Sequence, residues 1–275
     1  LQTFEPCCTM SQWGWHSAPL PPGLTEADFL WTPKDTYSGR VIEIPAGRGD
    51  AISRWMYANP HRLNLGRIAL RMTLPDGSEV GPSDIANAQQ TLDLWTGTLL
   101  SRFSVDGEPV LVHTWVHPAL ALVAARVEPL LLASGRISLS LAFPYGSATH
   151  TGSGGDWNAP ERHQTQLSQH GPRRADLLRT LDADRYHVAV AWSPTGALQE
   201  VGPHSYAIVP KAGQKTIECA VAFSQGPLGD LPTVAETASA CRAHWERFWR
   251  AGGPIHLSGR AAPRAAQLDR RIVPS

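Results

Sequence analysis

Arg136-Ile137-Ser138-Leu139-Ser140-Leu141 places an apolar side chain at every second position, whereas Ala119-Leu120-Ala121-Leu122-Val123-Ala124-Ala125-Arg126-Val127 is apolar almost throughout. Strand side chains alternate between two faces, so the first stretch packs on one side only and the second is covered on both. One-sided and two-sided strands in a single chain require stacked sheets. The expectation is two packed antiparallel sheets.

The remainder of the sequence extends that pattern. Its 24 glycines and 23 prolines separate short apolar runs, as in antiparallel β proteins. Strands are predicted at Arg40–Ile44, Arg67–Leu74, Gln90–Leu94, Thr98–Val105, Val110–His117 and Ala121–Glu128. Others are predicted at Arg136–Phe143, Tyr186–Trp192, Ser205–Val209 and Thr216–Phe223. Asp106-Gly107 and Leu74-Pro75-Asp76-Gly77-Ser78 carry tight-turn chemistry. From Thr233 to Ala251 the spacing changes: Val234, Ala238, Cys241, Trp245 and Phe248 form a helical stripe. Thr233 and Glu236 form a capping box, and Gly252-Gly253-Pro254 ends the segment. A single helix is therefore expected after ten strands, as a linker or cover on the sandwich. A second helix is expected to begin between Pro263 and Val273.

Composition excludes several function classes. Formal net charge is zero and no basic run occurs, which argues against nucleic acid and anionic membranes as partners. No apolar stretch has the roughly 18 residues of a membrane span. Cys7, Cys8, Cys219 and Cys241 fit no zinc spacing and are too few for a disulfide framework, so they read as reduced and structural. No catalytic motif, metal site or cofactor fingerprint is present: there is no nucleophile elbow, phosphate loop or dinucleotide signature. The chain begins at Leu1 without an initiator methionine and ends at Ser275 as a new segment starts, so it reads as a fragment.

Aromatic and polar residues concentrate in two places. Ser11-Gln12-Trp13-Gly14-Trp15-His16-Ser17 sets two tryptophans beside a histidine. If extended, Trp13 and Trp15 share a face, which suits either a packing surface or a sugar platform. The other is Pro144–His163, a glycine-rich loop of twenty residues without evident structure, carrying Tyr145, His150, Asp156, Trp157 and Glu161. Nothing fixes the separation of Asp156 and Glu161, so the loop suits interaction better than acid–base chemistry. His113, Trp115 and His117 are expected on one face of a strand, the histidines about 13 Å apart and too distant to share a metal.

Seven motifs in order carry a resemblance: SQWGWH (11–16), NPHRLNLGRI (59–68), QTLDLWTG (90–97), HTG (150–152), DWN (156–158), HWERFW (244–249) and DRRIV (269–273). The series resembles the N-terminal region of six-hairpin glycosidase-like proteins related to glycoside hydrolase family 65, over nearly the whole chain. The resemblance implies an antiparallel β super-sandwich of the galactose-mutarotase type over residues 1–230. A linker helix and the start of an (α/α)₆ barrel would follow over 231–275. It implies an accessory domain of a glycoside hydrolase or phosphorylase, whose catalytic carboxylates lie beyond Ser275 on the barrel. The partners would then be the barrel and, through the parent enzyme, carbohydrate. Trp13, Trp15, His16, Tyr145, His150, Asp156 and Trp157 would face barrel or sugar. The alternatives are a lectin-like sandwich that binds sugar by itself, and a purely structural domain.

Overall fold

The computed structural model describes residues 12–45, 49–129, 135–149, 152–251, 264–265 and 267–268. Cys7, Cys8, His150, the DRRIV motif and most of the expected second helix lie outside the described residues.

Eighteen strands are described. In chain order they are β1 (Trp15–His16), β2 (Trp31–Asp35), β3 (Val41–Pro45), β4 (His61–Arg62), β5 (Arg67–Met72) and β6 (Ile85–Asp93). Then follow β7 (Thr98–Val105), β8 (Glu108–Val116), β9 (Leu122–Pro129), β10 (Ile137–Ala142), β11 (Tyr145–Gly146) and β12 (Gly155–Asp156). The last are β13 (His163–Gln169), β14 (Arg174–Leu181), β15 (Asp184–Trp192), β16 (Gly196–Gly202), β17 (Ser205–Pro210) and β18 (Ile217–Ser224). Two helices accompany them, α1 (Ala51–Ala58) and α2 (Val234–Arg250).

The large sheet has eight antiparallel strands in the order β13-β14-β15-β18-β9-β8-β7-β6, and the small one has four, β16-β17-β10-β5. They pack face to face, as the opening contrast predicts. On β10, Ile137, Leu139 and Leu141 are buried while Ser138 and Ser140 are not, so only one face enters the core. On β9, Ala125 and Val127 point into the core between the sheets, and Leu122 and Ala124 into a second cluster outside it. Both faces of β9 are covered because α2 lies across β7, β8, β9 and β18.

The helix can lie so close because the sheet offers it small side chains, Ala124, Ala220 and Ala222, against which Val234 and Cys241 pack. Its start is fixed as predicted: the Thr233 hydroxyl accepts from Glu236 N–H, and the Glu236 carboxylate accepts from Thr233 N–H at 2.7 Å. Near its other end, Trp245 sits against Gly97 in the β6–β7 turn, and Trp249 Nε1 donates to the Leu94 carbonyl.

Each of the ten predicted strands falls on an observed one, eight further strands (β1, β2, β4, β11–β14 and β16) join them, and three other departures stand out. A second helix, α1, exists; Asp50 caps it by accepting from Ser53 N–H at 2.7 Å. The span from Pro144 to His163 is not structureless, since Tyr145 pairs with Asp156 and Gly146 with Gly155. Finally, β8 stops at Val116, so His117 is not on the His113–Trp115 face; its Nδ1 accepts the backbone N–H groups of Ala119 and Leu120. Pro118 supplies no N–H to extend the ladder there.

Candidate functional site

Two of the polar side chains singled out in the sequence, His16 and Tyr145, meet around the turn between β14 and β15. That turn, Leu181-Asp182-Ala183-Asp184, puts Asp182 at φ 51°, a conformation that aspartate tolerates. Its two carboxylates face β1. His16, fully enclosed, donates from Nδ1 to Asp184 Oδ2 at 2.9 Å, and its Nε2 lies 3.3 Å from Asp182 Oδ2. The backbone N–H of Ser17 adds a third bond to Asp184.

Tyr145 closes the group. Its hydroxyl donates to Asp182 at 2.5 Å and accepts from Arg162 Nη2 at 2.8 Å, while the Arg162 guanidinium lies 3.9 Å over the Tyr145 ring. Burial, reinforced by the Asp182 carboxylate, pushes the Tyr145 phenol up to about 12. The imidazole edge of His16 meets the Tyr145 ring at 5.2 Å and the His61 ring at 5.0 Å. His61 Nδ1 donates to the Ala58 carbonyl, so in the neutral ring Nε2 carries the lone pair, and it has no hydrogen-bond partner. Burial and the neighbouring His16 hold the His61 pKa below the ordinary histidine range. Gly146 packs directly against both imidazoles, and a Cβ there would come within 2.9 Å of His61 Nε2.

Just inside this cluster lies a fully buried arginine. Arg179 Nη2 donates to Pro144 O at 3.1 Å and to His163 Nδ1 at 2.5 Å, and Nη1 donates to Gln164 O at 3.0 Å and to the Thr165 hydroxyl. A guanidinium only donates, so His163 Nδ1 must accept, and the ring is neutral. Burial first, and the Arg179 charge second, bring the His163 pKa down to about 3. His204 Nε2 donates to Pro160 O, which leaves its Nδ1 to accept from Thr165. Tyr186 hands the network on to the Leu65 carbonyl at 2.9 Å.

The other expected site residues divide. Trp13 packs on the main core with its ring 6.5 Å from Tyr186, while Trp15 is 43 % exposed beneath the Arg62 guanidinium. The two therefore do not share a face. The chain folds back between them, Trp15 N–H donating to Trp13 O, and buried Gly14 accepts from Leu63 N–H. Asp156 uses its carboxylate to accept from Asn158 N–H at 3.0 Å, a local turn rather than a paired acid, and Glu161 is exposed. Trp157 lies under Arg67 at 4.3 Å. Thus His16 and Tyr145 meet side chain to side chain, Asp156 joins Tyr145 through the backbone, and Trp13, Trp15 and Trp157 serve separate contacts.

Asp182, Asp184, Arg179 and His61 were not singled out in the sequence. The signal for the first two is a short polar turn between two alternating stretches. For Arg179 it is a charge at an inward position of Ala175-x-Leu177-x-Arg179-x-Leu181, which demands buried partners. Chemically, these groups neutralise and orient one another. Every carboxylate in the cluster already accepts from a protein donor, an arrangement that fastens β1, β11 and β13 to the β14–β15 turn. Among the described residues no group of three or more metal-ligating side chains converges.

No protein-family model matches the chain, and no curated protein matches it. Among solved structures, it is similar to one assigned as a kojibiose phosphorylase from the human microbiome, at 12% identity and a TM-score of 0.48, over 69% of this chain and 28% of that one. It is also similar to a bacterial glucoamylase complexed with acarbose, at 10% identity and a TM-score of 0.46, over 71% of this chain and 33% of that one. The chain spans about a third or less of the length of these structures. At these identities the likenesses carry no assignment of activity.

Proposed function

We propose that the chain is the β-sandwich accessory domain of an enzyme that breaks glycosidic bonds by hydrolysis or phosphorolysis, with the catalytic carboxylates on a barrel of helices C-terminal to it. The observation that carries this reading is the way α2 leaves the sandwich. The helix is clamped along the large sheet, yet its last turns and the adjoining β6–β7 turn present an aromatic surface to solvent: Trp95 is 52% exposed, Phe248 45% and Leu94 40%. Trp95 and Trp249 lie 6.2 Å apart, so the patch is continuous from sheet to helix end. A surface of this kind at the point where the chain departs suits a following domain. The series of motifs from SQWGWH to HWERFW supports the same reading, and so does the His16–Tyr145–Asp182 cluster, whose carboxylates already accept from protein donors.

The test is turnover. The 275-residue chain, incubated with aryl glycosides and with disaccharides with and without phosphate, should release no sugar, and the same chain extended by the residues that follow it in its gene should. Release of sugar by the chain alone would place the catalytic groups within it and overturn the proposal.

A further inference from the structure

On the outer face of the large sheet, α2 covers only part of the surface. At one end its interface with the sheet is closed by apolar side chains, but towards β6 and β7 it opens into a groove of about 510 Å3. There the helix presents the small side chains of Ala238 and Ser239, and the sheet presents one transverse row, Thr91–Leu100–His113–Arg126. Asp93 and Arg242 also line it.

The charges of this groove balance. Arg126 Nε donates to Glu218 at 2.6 Å, and the ionised form of Asp93 is favoured first by the Thr96 hydroxyl and last by the charge of Arg242. Little net field remains to draw in an ion of either sign. Hydrogen-bonding capacity is what remains. His113 and Arg242 make no hydrogen bond among the described residues, and Arg126 uses only Nε, so donors point into the groove. Asp93 and the Ser239 oxygen supply acceptors, Ser239 having given its proton to the Ala235 carbonyl. These groups are held in place beforehand. The Asp93 carboxylate accepts from the Thr96 hydroxyl at 2.8 Å, and the His113 ring is stacked at 16° on Trp115, itself tied to Thr98 at 2.9 Å.

A ligand for such a surface must both donate and accept hydrogen bonds and carry no net charge. We infer that the groove between α2 and β6–β9 binds a neutral polyhydroxylated molecule, a mono- or disaccharide. The site belongs to the sandwich and does not rest on the barrel proposed above, because it requires equilibrium binding without turnover.

The test is titration of the intact chain with glucose, galactose, maltose and cellobiose, and separately with sulfate, followed by calorimetry and saturation-transfer NMR. At least one sugar should bind. Thr91→Trp, which fills the groove from an exposed position on the edge strand, and Arg242→Leu should each weaken it tenfold or more, with the melting temperature unchanged. Should Arg242→Leu fail to fold, Thr91→Trp decides alone. Absence of binding by all four sugars, undiminished binding in Thr91→Trp, or binding of sulfate in place of sugar would each overturn the assignment.

Discussion

Arg179 donates to His163 across 2.5 Å in the closed interior of the sandwich, where the arginine has no exposed surface and the imidazole 6%. A cation there is tolerable only because carbonyls, a hydroxyl and an imidazole lone pair surround it. Removing it strands those partners. Arg179→Leu is expected to cost about 1–3 kcal/mol for each buried acceptor it leaves unpaired, read from urea denaturation. A loss under about 1 kcal/mol would mean the network contributes little.

Burial of His163, with the Arg179 charge second, sets a pH dependence. Folded, His163 titrates near 3; unfolded, at its ordinary 6.5. Between those values the unfolded chain binds the extra proton, so the contribution to stability is complete above about 6.5 and declines as pH falls towards 3. The slope should approach but not exceed about 1.4 kcal/mol per pH unit for this one group. Comparing denaturation curves of the native chain and His163→Asn across that window isolates it; identical pH profiles would contradict the assignment.

Gly97 is one of the contacts between the β6–β7 turn and α2. It has φ 64°, and a Cβ would sit 2.5 Å from Trp245 Nε1 and 2.7 Å from Cys241 Sγ. Gly97→Ala should destabilise the chain by roughly 1–3 kcal/mol through overpacking, and should raise hydrogen exchange in α2 more than in β14 and β15. A uniform change across the molecule would argue against a local clash.

Thr233 secures the opposite end of the helix. Thr233→Ala should lose about 1 kcal/mol, and Thr233→Ser should recover most of it, since only the hydroxyl bond to Glu236 N–H matters. Equal losses in both variants would point to the threonine methyl group instead.

Cys219 is enclosed in the core, and burial pushes its thiol up to about 12. It should resist alkylation in the folded chain and react at once in denaturant, as peptide mapping after labelling would reveal. Labelling of Cys219 under native conditions would show that the core opens readily.

The sandwich was legible because burial on its strands follows the plainest sequence rule: Ile137, Leu139 and Leu141 alternate with serines, and β9 is apolar on both sides. What escaped notice breaks that rule for a physical reason. β14 alternates as cleanly as β10, but Arg179 occupies an inward position and disguises the period. β13 is rich in glutamine and serine because it is an edge strand largely open to water. α1, at eight residues, is too short for periodicity to declare itself, although Asp50 and Ser53 carry its cap. At the sandwich end, sequence picked out His16 and Tyr145 by aromatic density. It could not pair them with Asp182 and Asp184, since those partners lie far along the chain and only the fold of β14 and β15 brings them near.

The order of strands in the large sheet has a kinetic consequence. β6 to β9 form a meander of successive neighbours, and β13 to β15 form another, whereas β9 and β18 are far apart in the chain and pair in a ladder that runs from Val127–Ile217 to Leu122–Ala222. Each meander closes short loops; the seam between them must close a very long one. Assembly is therefore expected to proceed as two independent β units that later dock along one seam, with α2 able to settle only afterwards, because its bed of Ala124 and Ala220 spans that seam. Pulse-labelled hydrogen exchange during refolding should find protection in β7–β8 and β14–β15 ahead of β18. The helix that marks the chain's departure from the sandwich would then also be its last fastening.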